Sequence, residues 1–168
     1  MELTQSLKIL QADVFKTYLQ VHGYHWNAEG ILFPEMHEKW LEVYEDIYSS
    51  IDDISEMLRK LGDRAPMTLE EMSSNSSFTT MYTGSNVKDQ IESFLASNEF
   101  VINSIKSAHE LADKAGEIGI ASDLEIRDSM HKKWRWQLSS TIKSSVVRTV
   151  SIAIDYLTNV LSYRNCSS

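Results

Sequence analysis

Apolar residues recur at spacings of three and four along most of the chain, which is the period of an amphipathic helix. The pattern is clearest between Pro34 and Gly62. Proline is favoured in the first turn of a helix and glycine just after the last, so these two residues bound a predicted helix. Its apolar stripe comprises Met36, Trp40, Val43, Ile47, Ile51, Ile54, Leu58 and Leu61.

The same period predicts three further helices, separated at the few glycines and prolines of the chain. One runs from about residue 3 to 26 and ends at a break over 27–30, another runs from about 86 to 115, and the last starts near Ser122. The positions predicted to face inward are Leu7, Leu10, Val14, Tyr18 and Val21 in the first of these, Ile91, Phe94, Leu95, Val101, Ile105 and Leu111 in the next, and Leu124, Ile126, Met130, Trp134 and Leu138 in the last.

A polar, serine- and threonine-rich segment over 63–86 separates the second and third long helices. A short helix is predicted within it at 68–72. A connection of this length suits a bundle in which successive helices are not antiparallel neighbours. The sequence therefore predicts an all-α fold, a four-helix bundle with a long crossover between its second and third helices.

The last thirty residues keep helical spacing at Val146, Val150, Ile154, Leu157 and Leu161, but β-branched residues lower their helix propensity. We expect a continued or fifth helix, packed on the bundle or on a neighbouring subunit. The predicted organisation is a four-helix bundle over 1–140 and a C-terminal extension over 141–168.

Size, charge and cysteine content narrow the class of protein. A chain of 168 residues can bury one core without disulfides, and its single cysteine, Cys166, cannot pair within the chain. No apolar run approaches the roughly 20 residues that span a bilayer, and no signal segment opens the chain, so a cytoplasmic protein with no membrane association is expected. The net charge of −8 repels nucleic acid.

Four side chains could hold a metal ion: His25, His37, Asp52 and Glu56. Imidazole and carboxylate ligands suit iron, manganese or zinc. Asp52 and Glu56 share one face of the second helix because they are four residues apart. Each of these residues alone is more typical of an exposed acidic face or of a structural histidine, and we assign His109 and His131 to structural roles.

Spacing divides the four residues into two half-sites. His37 and Asp52 are fifteen residues apart on one helix, or about 22 Å at 1.5 Å per residue. His25 can approach His37 because the chain reverses between the first two helices. A two-fold dimer with antiparallel second helices would bring the histidines of one subunit to the carboxylates of the other, with the axis near Glu45 and Asp46.

Together these residues resemble the Dps family of mini-ferritins, which belongs to the ferritin-like superfamily. The resemblance rests on His25-Trp26, a second histidine twelve residues later, Asp52 fifteen residues after that, and Glu56 four residues further on, with weaker similarity to about residue 140. It implies a ferritin-like four-helix bundle in a dodecameric shell. It also implies that His25, His37, Asp52 and Glu56 bind iron across two-fold interfaces, where iron(II) is oxidised by hydrogen peroxide or dioxygen before storage as iron(III).

The sequence departs from the family pattern in three places. Leu41 occupies a position that is usually aspartate, which weakens the second metal position or shifts it to an acid such as Glu45. The lysine-rich N-terminal extension that some members use for DNA is missing, which with the net charge argues against direct DNA binding. The extension over 141–168 matches no family pattern. Because the chain has no Glu-x-x-His, an iron site inside one bundle is not expected.

Two roles stay open for Trp26, which follows a ligand: an electron donor that limits radical release, or an aromatic side chain that packs at the interface. Iron(III) would move to an acidic inner surface, for which Glu42, Glu45 and Asp46 are the candidates. The alternative function is a non-enzymatic helical shell with a structural or degenerate metal site, in which zinc could replace iron.

Overall fold

The computed structural model describes residues 2–79 and 81–165, with side chains described up to 143. Its five helices are α1 (Leu3–Asn27), α2 (Phe33–Lys60), α3 (Leu69–Asn75), α4 (Val87–Ala115) and α5 (Ile118–Asn165). Across those residues there is no strand, only an isolated bridge between Glu29 and Asn86. The predicted all-α fold is confirmed.

Four long helices enclose one core. Helix α1 packs against α2 and α4, α4 packs against α5, and α2 also contacts α5. The core includes two fully buried tryptophans, Trp40 and Trp134, and Phe94 between them in chain order. Trp40 also donates an indole hydrogen bond to buried Gln90, at 3.2 Å, which links α2 to α4. Most of the residues predicted to face inward therefore meet in this core.

Local signals set several of the helix ends. Pro34 lies in the first turn of α2, and Gly116 ends α4 in the left-handed conformation, with φ of 75°. In the crossover, α3 starts with a capping box, since the Thr68 hydroxyl accepts from the Glu71 amide and the Glu71 carboxylate accepts from the Thr68 amide. The predicted short helix is confirmed, one residue later at its start and three at its end.

A buried carboxylate holds the crossover onto the bundle. Asp13 of α1 is fully buried. Its Oδ1 accepts from the Ser76 hydroxyl at 2.9 Å and the Ser77 amide at 2.7 Å, and its Oδ2 accepts from the Ser77 hydroxyl at 2.7 Å and Ser104 of α4 at 2.6 Å. One side chain thus joins α1, α4 and the segment after α3.

The last helix differs from its prediction in two respects. It begins at Ile118 rather than near Ser122, and Ile126, predicted to face inward, is 60% exposed. Ile126 follows Leu124 by two residues, about 200° around a helix, so both cannot face the core. His131 takes an inward position instead, on the same face as Trp134.

The backbone of α5 continues as one helix through Asn165, so the part of 141–168 that the structure covers is helical, as expected. The side chains of Val146, Val150, Ile154, Leu157 and Leu161, and residues 166–168 with Cys166, lie outside the described part. The division at residue 140 stays a prediction. No helix among the described residues is long and apolar enough to cross a membrane.

Candidate functional site

The structure brings His25 and His37 together. His25 lies in the last turn of α1 and His37 in the second turn of α2, and the five residues between these helices reverse the chain. Gly30 makes that reversal with φ of 112°, a conformation that favours glycine. The two imidazole rings stack with their centroids 3.8 Å apart and their planes 20° apart.

Each imidazole is fixed by a hydrogen bond to the other histidine's backbone. The Nδ1 of His25 lies 2.8 Å from the carbonyl oxygen of His37, and the Nδ1 of His37 lies 2.9 Å from that of His25. A carbonyl oxygen only accepts, so both Nδ1 atoms carry the proton and donate. Both Nε2 atoms then keep a lone pair, which is the form of histidine that binds a metal ion.

Asp52 and Glu56 lie on one exposed face of α2, far from these histidines. Because α2 is uninterrupted, the fifteen residues between His37 and Asp52 separate them by about 22 Å. Glu56 pairs with Lys60 at 3.5 Å, a surface contact one turn away. In the described part of a single chain, no three histidine, cysteine, aspartate or glutamate side chains form a metal-binding group.

Aromatic side chains extend from the histidine pair along α1 and α2. Tyr44 stacks on His22 at a centroid distance of 4.1 Å and meets His25 edge-on at 5.4 Å. Tyr18 lies 6.3 Å from Tyr44 and 5.3 Å from Tyr48. We call Tyr18, His22, Tyr44 and Tyr48 the aromatic cluster.

The aromatic cluster was not predicted from the sequence. The available signal was the four-residue spacing of Tyr18 and His22 on the first helix and of Tyr44 and Tyr48 on the second, which places each pair on one helix face. Burial lowers the pKa of His22, with a further effect from His25. Burial also raises the pKa of Tyr18, with smaller effects from Tyr48 and Tyr44. Both groups therefore favour their neutral forms.

The remaining residues singled out from the sequence have defined surroundings. Trp26 is 66% exposed, and its ring lies 4.2 Å from that of His22. Leu41 lines a shallow acidic groove of α2 with Glu38, Glu42 and Glu45.

Ion pairs and hydrogen bonds account for three further residues. Asp46 pairs with Arg127 of α5 at 2.5 Å. His109 pairs with Glu125 at 3.2 Å, and buried His131 contacts Asn98 at 2.6 Å. These contacts fit the structural roles assigned to both histidines.

Comparison with known proteins gives one family. A model of the ferritin-like domain matches residues 4–143. The DNA protection during starvation protein of Brevibacillus brevis is 27% identical over 128 residues, which cover 75% of this chain and 85% of that protein. The crystallised Dps of Thermosynechococcus elongatus is 27% identical, with a TM-score of 0.79 over 83% of this chain and 89% of that one.

A second solved structure matches the fold. The Dps protein of Vibrio cholerae O1 has a TM-score of 0.80 over 83% of this chain and 88% of its own, at 22% identity. That protein is described as a member of a broad superfamily of ferritin-like diiron-carboxylate proteins.

Proposed function

Because this chain belongs to the ferritin-like family, and its relatives in sequence and fold are Dps proteins, we propose that it oxidises iron(II) and stores the product as iron(III) in a hollow homo-oligomer. The observation that carries the proposal is the stacked pair of His25 and His37, in which both Nδ1 atoms donate to carbonyls and both Nε2 atoms are left to bind a metal ion.

The site is proposed to lie between two copies of the chain. Two imidazoles alone leave iron(II) short of ligands. The acidic pair that the family resemblance implies, Asp52 and Glu56, is exposed further along the same helix. Antiparallel pairing of two α2 helices about a two-fold axis would supply both halves and make two sites per dimer. Further assembly of these dimers into a dodecamer follows the family resemblance.

Exposed apolar side chains support an interface at this face. Trp26, Ile31 and Phe33 surround the turn that carries the histidines, with 66%, 96% and 40% of their surfaces exposed, and Tyr48 on the same side of α2 is 63% exposed. Large apolar groups exposed close together mark interaction surfaces. A partner subunit at this face would cover these side chains. For Trp26, this arrangement supports the role of an aromatic side chain that packs at the interface.

The chemistry is a balanced transfer of electrons from iron to the oxidant. Each iron(II) gives up one electron, and hydrogen peroxide takes two electrons and two protons as its O–O bond breaks to give two water molecules. Two carboxylates would offset the charge of the iron and favour its higher oxidation state, and two neutral imidazoles would donate lone pairs to it. The groove with Glu45 is the proposed path toward storage. The other two candidates are already paired, Glu42 with Lys39 at 2.9 Å and Asp46 with Arg127 at 2.5 Å.

The alternative function is a shell with a structural metal site. The observation that favours it is the leucine at position 41, where the family usually has an aspartate. Leu41 adds no ligand atom to the groove in which it lies. Zinc would fit the same four ligands and would stabilise the interface without redox chemistry. The two functions differ in whether added iron(II) is oxidised or only bound.

Oxidation of iron(II) by peroxide, followed by the absorbance of iron(III), tests the proposal. We expect the metal-free protein to oxidise iron faster than buffer does and to keep the product soluble. An Asp52→Ala/Glu56→Ala variant should lose both effects. A Glu110→Ala/Asp113→Ala variant removes two exposed charges from α4 and should behave as the wild type. Oxidation at the rate of buffer, with metal bound, would support the structural site instead.

A further inference from the structure

Helix α5 is much longer than its neighbours in the bundle, and its C-terminal part has an apolar pattern of its own. We call residues 144–165 the α5 tail. We propose that the α5 tails of neighbouring subunits associate with one another as a second helical bundle within the oligomer. The inference rests on the proposed function only in requiring a homo-oligomer, and it assigns a second copy of this chain as the partner of the tail.

The start of α4 marks the level at which α5 leaves the core of its own subunit. The two helices run antiparallel, and Asn98 of α4 contacts His131 of α5. Val87, the first residue of α4, lies eleven residues before Asn98, and Lys143 lies twelve residues after His131. Because both helices rise by the same amount per residue, α4 begins close to the level of Lys143.

The turn between α1 and α2 lies at that same level. Glu29 in this turn pairs with Asn86, directly before α4, and its carboxylate accepts from the Ser85 hydroxyl at 2.8 Å. Helices α1, α2 and α4 therefore all begin or end close to Lys143, whereas α5 continues for another 22 residues. The α5 tail amounts to about 33 Å of helix at 1.5 Å per residue, a length that these three helices do not match.

The sequence of the α5 tail repeats with the period of a coiled coil. Apolar residues alternate at spacings of four and three over 146–160, as at the a and d positions of a heptad. A second apolar row follows on one flank at spacings of seven. The first row comprises Val146, Val150, Ala153, Leu157 and Val160, and the second comprises Val147, Ile154 and Leu161. Three apolar positions in every seven are typical of a helix that packs in a bundle, and they form a wider face than a two-stranded seam.

The α5 tail depends on packing for its stability as a helix. Eight of the sixteen residues over 146–161 are β-branched, which lowers their helix propensity. The stability of such a helix comes mainly from the packing of its apolar face. Because α1, α2 and α4 begin or end near Lys143, we infer that another subunit supplies the packing surface.

The tail of a second copy fits this apolar face. In a homo-oligomer, segments that leave each subunit at the same place meet copies of themselves around the symmetry axes. Charge does not oppose this association, since the charged residues over 146–161 are one arginine and one aspartate, Arg148 and Asp155. Their spacing places both on the helix face opposite the apolar rows. Association of the tails would also cover an apolar face that promotes aggregation when it is exposed on every subunit.

Photo-cross-linking in the full-length oligomer tests the partner. Tyr156, which borders the first apolar row in the heptad, is replaced by p-benzoylphenylalanine, an aromatic residue that bonds to its nearest neighbour on irradiation. We expect covalent dimers on a denaturing gel, in which peptides of the α5 tail are joined to each other. Each chain has one such tail, so a link between two tails forms only between chains.

Two further variants of the cross-linking protein test the face. Val150→Asp/Val160→Asp places two charges in the first apolar row and should abolish the dimers. Ser151→Asp/Ser162→Asp adds the same charges to the polar face of the tail and should keep them. Circular dichroism checks that the four-helix bundle stays folded in both.

The inference is overturned if position 156 is linked only to residues before 144, of its own or of another chain, or if irradiation gives no dimers. It is also overturned if Val150→Asp/Val160→Asp keeps the dimers or if Ser151→Asp/Ser162→Asp loses them. Iron oxidation by peroxide, measured on the same samples, tests the proposed function separately. Oxidation at the rate of buffer, with the cross-linked dimers present, would refute that activity and leave the association of the tails supported.

Discussion

Removing the buried carboxylate of Asp13 should detach the crossover from the bundle. Asp13→Ala deletes four hydrogen bonds that join α1 to Ser76, Ser77 and Ser104. Hydrogen bonds to a charged group each contribute about 1.5–3 kcal/mol net. Ser76 and Ser77 regain water when the crossover lifts, and the cost of burying the carboxylate disappears. We therefore expect a net loss of about 2–4 kcal/mol rather than the sum of four bonds.

The Ser77 amide reports on this contact directly, because it donates to Asp13 at 2.7 Å. Hydrogen exchange at this amide should accelerate by about thirtyfold to several hundredfold, since 1.4 kcal/mol corresponds to a factor of ten. Asp13→Asn keeps an acceptor for the amide and should have a smaller effect. Asp123→Ala, which removes an exposed aspartate from α5, is the control. Unchanged protection of Ser77 in Asp13→Ala would refute the anchoring role.

Two predictions concern pH. Hydrogen bonds from the Met67 amide and the Arg64 guanidinium lower the pKa of the Glu71 carboxyl to about 2. The capping box of α3 should therefore be fully formed above pH 4.5 and be lost as the pH falls toward 2. An NMR titration of Glu71 with a midpoint near 4.5 would contradict this. Burial lowers the pKa of His131 well below 6.5, so the unfolded chain binds the proton more readily and stability should fall as pH drops below 6.5. Thermal unfolding of His131→Gln should show a flatter pH dependence, and an unchanged slope would argue against it.

The helices were predictable because their signals are local. The three- and four-residue period between Pro34 and Gly62 determines the buried face of α2 without knowledge of its neighbours. Ile126 shows the limit of this signal. Its apolar character predicts that it faces inward, but its position on the helix leaves it exposed. His131 shows the opposite case, a polar residue that is buried. Its hydrogen-bond partner is Asn98 of α4, which is distant in the sequence, so local signals do not predict the burial.

The histidine half of the site was predictable from the turn between the first two helices, which brings His25 to His37. The reciprocal bonds to backbone carbonyls were not, because they depend on the exact path of the chain across Gly30. The aromatic cluster depends on how α1 and α2 are aligned along their lengths. The apolar period of each helix does not determine that alignment. The contribution of Asp52 and Glu56 to the site stays a prediction, because these carboxylates would meet the histidines of a second subunit.

Mixing two inactive variants tests most directly whether the iron site is shared between subunits. His25→Ala/His37→Ala retains the acidic half, and Asp52→Ala/Glu56→Ala retains the histidine half. After the two are dissociated, mixed in equal amounts and reassembled, half of the dimers should contain one chain of each kind, and each such dimer holds one intact site. We therefore expect iron oxidation by peroxide to return to about one quarter of the wild-type level. Mixed oligomers that remain as inactive as the separate variants would contradict a shared site.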